Sequence, residues 1–181
     1  MIYFRSDYSL GAHPKVMQAL IDTNMEHTDG YAEDKYSFET ADMIREMIGK
    51  PDAHVHFMVG GTPTNTVTIA AALRPFEGVI SADSGHIYVH ETGSVEATGH
   101  RVFAAPTEDG KLRPADIEKV LLHHEDEHTV IPKMVYITHP TENGGVYTKA
   151  ELKALHDCCR EHDLYLYADG ARLGTALTWP G

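Results

Sequence analysis

The sequence predicts an α/β fold: a mostly parallel sheet in three layers, with helices covering both faces. Three observations predict it. Segments with strand character alternate with segments whose apolar residues recur every three to four positions. The strand segments at 79–82, 102–105, 134–138 and 164–169 are short apolar runs, the pattern of strands buried on both faces. Polar residues gather just past the carboxyl ends of those runs, where open α/β sheets bind their ligands.

In chain order, residues 1–12 carry Arg5-Ser6-Asp7 and Gly11, too short and too punctuated for a core element, and read as an N-terminal arm. A domain then runs over 13–181. Pro14 opens a helix with an apolar face of Val16, Met17, Ala19, Leu20 and Ile21, and polar residues 22–29 end it. Gly30-Tyr31-Ala32-Glu33-Asp34 is loop. A second helix runs from about Ser37, with Phe38, Ala41, Ile44 and Ile48 inward, and stops at Gly49. Residues 55–59 read as a strand, and Gly60-Gly61-Thr62 turns it into a helix from Pro63 to about Leu73. Next come strand 79–82, a helix over 89–97 and strand 102–105. After a turn at Asp109-Gly110, Pro114 opens a helix with Ile117, Val120 and Leu121 inward. Strand 134–138, a helix from Lys149 to about His162 and the strand ending on Asp169 complete the pattern.

Composition sets the outer limits. The 181 residues, 42% of them apolar, suffice for one domain with a sizeable core. Fifteen basic against 27 acidic residues give a formal charge of −12, which argues against nucleic acid or an anionic membrane as a partner. There is no signal-peptide pattern and no apolar run of membrane-spanning length, so the expected location is cytoplasmic. The two cysteines, Cys158 and Cys159, are adjacent in a helical pattern and read as small helix residues. Among thirteen histidines, His123, His124 and His128 come nearest to metal-ligand spacing, but they sit in a charged loop without an H-E-x-x-H pattern, and no metal is expected.

Two stretches carry chemistry. Gly60-Gly61-Thr62 before a helix makes a phosphate cradle, because unpaired backbone N–H groups and the positive end of the helix dipole converge there. It matches neither the dinucleotide nor the triphosphate glycine motif. The strand ending in Asp169-Gly170-Ala171-Arg172 aims an acid into the crevice and follows it with a guanidinium, which suits a ligand bearing both a basic nitrogen and a carboxylate. The alternative is a structural Asp-Arg pair at a strand-loop junction. Asp83-Ser84-Gly85-His86 and Thr138-His139-Pro140-Thr141-Glu142 lie at equivalent strand ends, so four loops describe one pocket.

Together with Arg5-Ser6-Asp7, the 30–34 segment, Gly60-Gly61-Thr62-Pro63-Thr64-Asn65, Ser84-Gly85-His86-Ile87, Pro140-Thr141-Glu142 before Gly145-Val146-Tyr147, and Asp169-Gly170-Ala171-Arg172-Leu173, the chain resembles the L-threonine aldolase family. That family belongs to the β-eliminating lyases of fold type I, the pyridoxal-phosphate enzymes. The resemblance implies a fold like the large domain of the aspartate-aminotransferase group, with 13–181 as most of it. It implies pyridoxal 5'-phosphate as cofactor and aldol cleavage of L-threonine or L-allo-threonine to glycine and acetaldehyde. Gly60, Gly61 and Thr62 would hold the phosphate, His86 would stack on the ring, and Asp169 would pair with the ring nitrogen. Arg172 would contact the cofactor and bind the substrate carboxylate with help from Ser6, Thr141 and Glu142 would line the pocket, and Tyr31 would reach the substrate in the neighbouring subunit's pocket. His86 or His128 would take the hydroxyl proton. A homodimer or homotetramer is the implied assembly.

The chain departs from the family pattern in two places. Gly60 stands where the phosphate loop usually has Ser. The lysine that the family bonds to its cofactor is expected one strand beyond Asp169, and none of the eight lysines present has a matching context. The sequence therefore reads as the amino-terminal part of an enzyme, inactive by itself. Two other readings stand beside it: a fold type I lyase acting on another β-substituted amino acid, and a non-catalytic binding or dimerisation module.

Overall fold

The computed structural model describes residues 7–179. The chain divides into two compact units, Met1–Phe57 and Met58–Gly181.

The first unit holds α1 (Pro14–Thr23) and α2 (Lys35–Ile48). α1 begins at the expected Pro14 and α2 two residues before the expected Ser37: His13 Nδ1 accepts from Lys15 N–H at 3.2 Å, and Asp34 accepts from Ser37 N–H at 3.0 Å. Gly49 closes α2 in the left-handed conformation at φ 64°, and the Lys50 N–H reaches back to Arg45 O. Their expected burial does not follow. None of α1 is buried, leaving Val16, Met17, Leu20 and Ile21 exposed, and in α2 only Ala41 is buried while Phe38 and Ile48 are exposed. A 3.6-residue period makes an apolar stripe, but burial needs a surface to cover it.

The second unit runs α3 (Gly61–Ala72), β1 (Glu77–Ala82), α4 (His86–Val89), a 3-10 turn (Glu96–Thr98), β2 (Val102–Ala105), α5 (Pro114–Leu122), β3 (Ile131–Thr138), α6 (Lys149–Glu161), β4 (Tyr165–Asp169) and α7 (Leu173–Leu177). The four strands are all parallel, in the order β2-β1-β3-β4. Alternate strand residues feed two cores. Ile80, Phe103, Val135 and Ile137 pack with Ile117 of α5 and with Leu155, Cys158 and Cys159 of α6. Val79, Val102, Met134 and Tyr136 pack with Ile69 of α3, Ile87 of α4 and Val95. This is the three-layer arrangement the sequence predicts. Burying each large aliphatic side chain contributes about 1.5–3 kcal/mol.

Three expectations are corrected. Residues 55–59 form no strand; they straddle the boundary between the two units, and a strand exists only where a neighbour completes its ladder. The helix expected over 89–97 is instead the four-residue α4, because Thr92 (φ 52°) and Gly93 (φ 78°) turn left-handed and interrupt it. The short α7 after Arg172 was not foreseen.

Helix α6 opens with a capping box: Thr148 accepts from Glu151 N–H at 3.2 Å, and Glu151 accepts from Thr148 N–H at 2.7 Å. Glu151 also receives Lys111 Nζ at 2.6 Å. Lys111 first, then the Thr148 N–H, hold its carboxyl at about 2, against an ordinary 4.5. A depressed carboxyl contributes stability above its unfolded value and loses it as pH falls toward the folded one. Glu151 is partly exposed, so the pair and cap are worth about 1 kcal/mol. Glu151→Gln should therefore unfold at lower urea near neutrality, with the difference from the parent shrinking between pH 4.5 and about 2. A constant difference across that window would show that the Glu151 charge is not the source.

Candidate functional site

A parallel sheet puts every strand's carboxyl end at one edge. There the loop 83–86 follows β1, 139–142 follows β3 and 170–172 follows β4, and the His139 N–H donates to Asp169 O at 2.9 Å. Asp169 is the last residue of β4, in register with Thr138.

Its carboxylate is held by donors from two elements and from the turn after β4. Oδ2 accepts from Tyr136 OH of β3 at 2.8 Å and from Asn65 Nδ2 of α3 at 3.0 Å, and Oδ1 accepts from Ala171 N–H at 3.0 Å. Burial, then the Asp169 charge, push the Tyr136 phenol far above its usual range, so it stays a donor.

Asn65 is the hub. Fully buried one turn into α3, it gives one amide hydrogen to Asp169 and the other to Glu91 Oε1 at 2.7 Å, while Oδ1 accepts from Tyr167 OH at 2.6 Å. Glu91, 3% exposed, also accepts from Ser94 Oγ at 2.8 Å, and its Oε1 lies 2.8 Å from His86 Nδ1. A carboxylate surrounded by donors makes Nδ1–H the third of them, which leaves His86 Nε2 free to accept or pass a proton. The imidazole, 36% exposed, stands at the solvent end of this chain of contacts.

Gly85 allows that placement. A Cβ there would come within 2.1 Å of Ser81 Oγ and 3.0 Å of Ala82 O, so only glycine lets α4 start so close to β1.

Gly61 lies one turn before Asn65 on the same helix face, so the start of α3 adjoins the Asp169 cluster. Gly60 is an extended N-cap without a side-chain bond, Gly61 and Thr62 are exposed, and Pro63 has no N–H. The first turn thus presents the Gly61 and Thr62 N–H groups to an anion, and a Cβ at Gly61 would meet nothing within 4 Å.

The other predicted residues are placed as follows. Arg172 is the exposed N-cap of α7, three residues past Asp169. Thr141 is buried, its hydroxyl accepting from Gly145 N–H at 2.9 Å and lying 3.4 Å from Asp109 O, so it holds its own loop closed; Glu142 beside it is half-buried. His128 is exposed, bonded to Asp126 at 2.8 Å, and precedes β3 at the opposite edge of the sheet from Asp169. Tyr31, fully exposed with φ 62°, belongs to the first unit. Ser6 lies outside the described residues.

Sequence reasoning missed Glu91, Ser94, Tyr136 and Tyr167, and assigned Asn65 no role. The available signal was polar side chains inside core elements: Tyr136 in β3, Tyr167 in β4, and the one Asn in a helix of small residues, α3.

Comparison with known proteins identifies the family. The model of the beta-eliminating lyase family matches residues 3–179. The chain is 34% identical to the low specificity L-threonine aldolase of Pseudomonas aeruginosa over 180 residues, 98% of this chain and 52% of that protein. It is 28% identical to the Escherichia coli enzyme of the same name, again over 98% of this chain and 52% of that one. The solved structure of Leishmania major threonine aldolase matches with a TM-score of 0.96 at 51% identity, over 97% of this chain and 51% of that one. The chain spans about half the length of these relatives.

Proposed function

Because the chain belongs to the beta-eliminating lyase family, we propose that it forms most of the cofactor-binding domain of a pyridoxal-phosphate-dependent aldolase that cleaves L-threonine or L-allo-threonine to glycine and acetaldehyde. The observation that carries this reading is the Asp169 carboxylate, fixed by three donors at a strand's carboxyl end and linked through Asn65 and Glu91 to His86.

The residues present fit the cofactor. Gly61 and Thr62, with Gly60 before them, offer N–H groups for a phosphate, and Asp169 offers a fixed negative charge for a ring nitrogen. When bound, pyridoxal phosphate supplies a protonated ring that accepts the electron pair released as Cα–Cβ breaks. Asp169 keeps that nitrogen protonated, and the donors around it hold the carboxylate in one orientation. His86 would stand against the ring, with its Nε2 placed to take the β-hydroxyl proton. Of the two candidate bases, His86 stands in the Asp169 network while His128 sits at the far edge of the sheet, so the role goes to His86. Arg172 would bind the substrate carboxylate as a bidentate fork, with Thr141 and Glu142 in the loop after β3 at the same end of the sheet.

The same reading includes self-association as a homodimer or homotetramer, supported by the exposed apolar stripe of α1, and a cytoplasmic location. No helix among the described residues is long and apolar enough to cross a membrane.

The test is turnover by the full-length protein with added pyridoxal phosphate. Glycine and acetaldehyde should form in equal amounts from threonine or allo-threonine. Turnover of another β-substituted amino acid, with both threonines inert, would replace this function with that of a different lyase of the family.

A further inference from the structure

We propose that α5 and α6 form a binding site for a divalent cation of the zinc class, with Glu118, Cys158 and His162 as ligands. One ligand atom from each, a carboxylate oxygen, Sγ and an imidazole nitrogen, all lie within 4.8 Å of one another. Helix geometry explains the meeting. Cys158 and His162 are four residues apart at the end of α6, hence on one face, and Glu118 comes from the neighbouring α5. Ile117, Leu155 and Cys159, buried in the core beside them, fix how the two helices pack.

The donor set selects the ion. Thiolate, imidazole and carboxylate together suit zinc, whereas magnesium and calcium take oxygen ligands. Around a tetrahedral zinc, such atoms sit about 3.5 Å apart. The cluster therefore needs to close by about 1 Å, which rotamer changes of the exposed Glu118 and His162 allow. Both line a cleft of about 520 Å³ that also holds His124 and Glu125.

Electrostatics favours a cation here. The last carbonyls of α6 end at this point, presenting the negative end of its dipole. The Cys158 sulfur lies at a buried position, 6% exposed. As it bonds the ion, the thiol releases one proton to solvent. The site lies by the amino end of β4, away from Asp169 at the carboxyl end. Its effect would be to clamp the end of α6 to α5.

The experiment uses full-length protein stripped by a chelator, titrated with Zn²⁺ against a chromogenic chelator and with Co²⁺ to read the sulfur-to-cobalt charge-transfer band. The expected result is one ion per chain with a thiolate band. Cys158→Ser should abolish the band, and His162→Ala, at an exposed position, should weaken binding about tenfold or more. A wild-type protein that binds neither ion, cobalt binding without a sulfur band, or His162→Ala binding as tightly as the parent would each overturn the assignment.

Discussion

Asp169→Asn in the full-length protein is expected to cut threonine cleavage about a hundredfold or more, the scale on which removal of one preorganised electrostatic partner acts, while part of the cofactor still binds. The carboxylate has two oxygens, and Tyr136, Asn65 and Ala171 all donate to them. An amide offers one oxygen for those donors, so its NH₂ must turn toward the Ala171 N–H or toward the ring nitrogen. Neither placement supplies the negative charge that keeps the nitrogen protonated. The phosphate-binding turn at Gly61 and Thr62 is untouched, which is why binding survives in part. Kinetics with threonine, beside the visible spectrum of the reconstituted variant, check this. A kcat within twofold of the parent would remove Asp169 from its assigned role.

Glu91→Ala is expected to combine a stability loss of about 2–4 kcal/mol with a fall in activity, because it removes the acceptor at the centre of the buried network. Ser94 Oγ and His86 Nδ1 lose their acceptor and Asn65 Nδ2 loses one of its two, in a place that water reaches poorly. Asn65 then has only Asp169 and Tyr167 to orient it, and His86 is free to rotate out of line. Since Asn65 joins the two carboxylates, Glu91→Ala and Asn65→Ala should be non-additive, with a coupling of about 1 kcal/mol or more in denaturant titrations. Additive costs would mean that Glu91 and Asn65 act separately. A stability loss without any change in kcat would reduce Glu91 to a packing residue.

Much of this molecule was legible from local sequence. Pro14, Gly49 and Pro114 mark helix ends through chemistry that acts within a turn, and the structure puts those ends, and the starts expected at about Ser37 and at Lys149, within two residues of expectation. Strand 102–105 is placed as read, and the polar ends of β1, β3 and β4 foretold the edge where Asp169 and His86 stand. The misreadings share a cause. Residues 55–59 have strand composition but no neighbour, α1 has an apolar stripe but nothing covering it, and the run at 89–97 is broken where Glu91 turns inward to reach Asn65 and His86.

By itself, then, the sequence determined the helix caps, the parallel α/β order and the acid and imidazole at the strand ends, because each follows from residues a few positions apart. Only the tertiary structure decided that Asn65 and Glu91, 26 residues apart, join Asp169, 104 residues beyond Asn65, to His86, and that Glu118 meets Cys158 and His162. Such contacts form when the β1, β3 and β4 register and the packing of α3, α5 and α6 bring distant side chains to one place, and neither spacing nor composition encodes them.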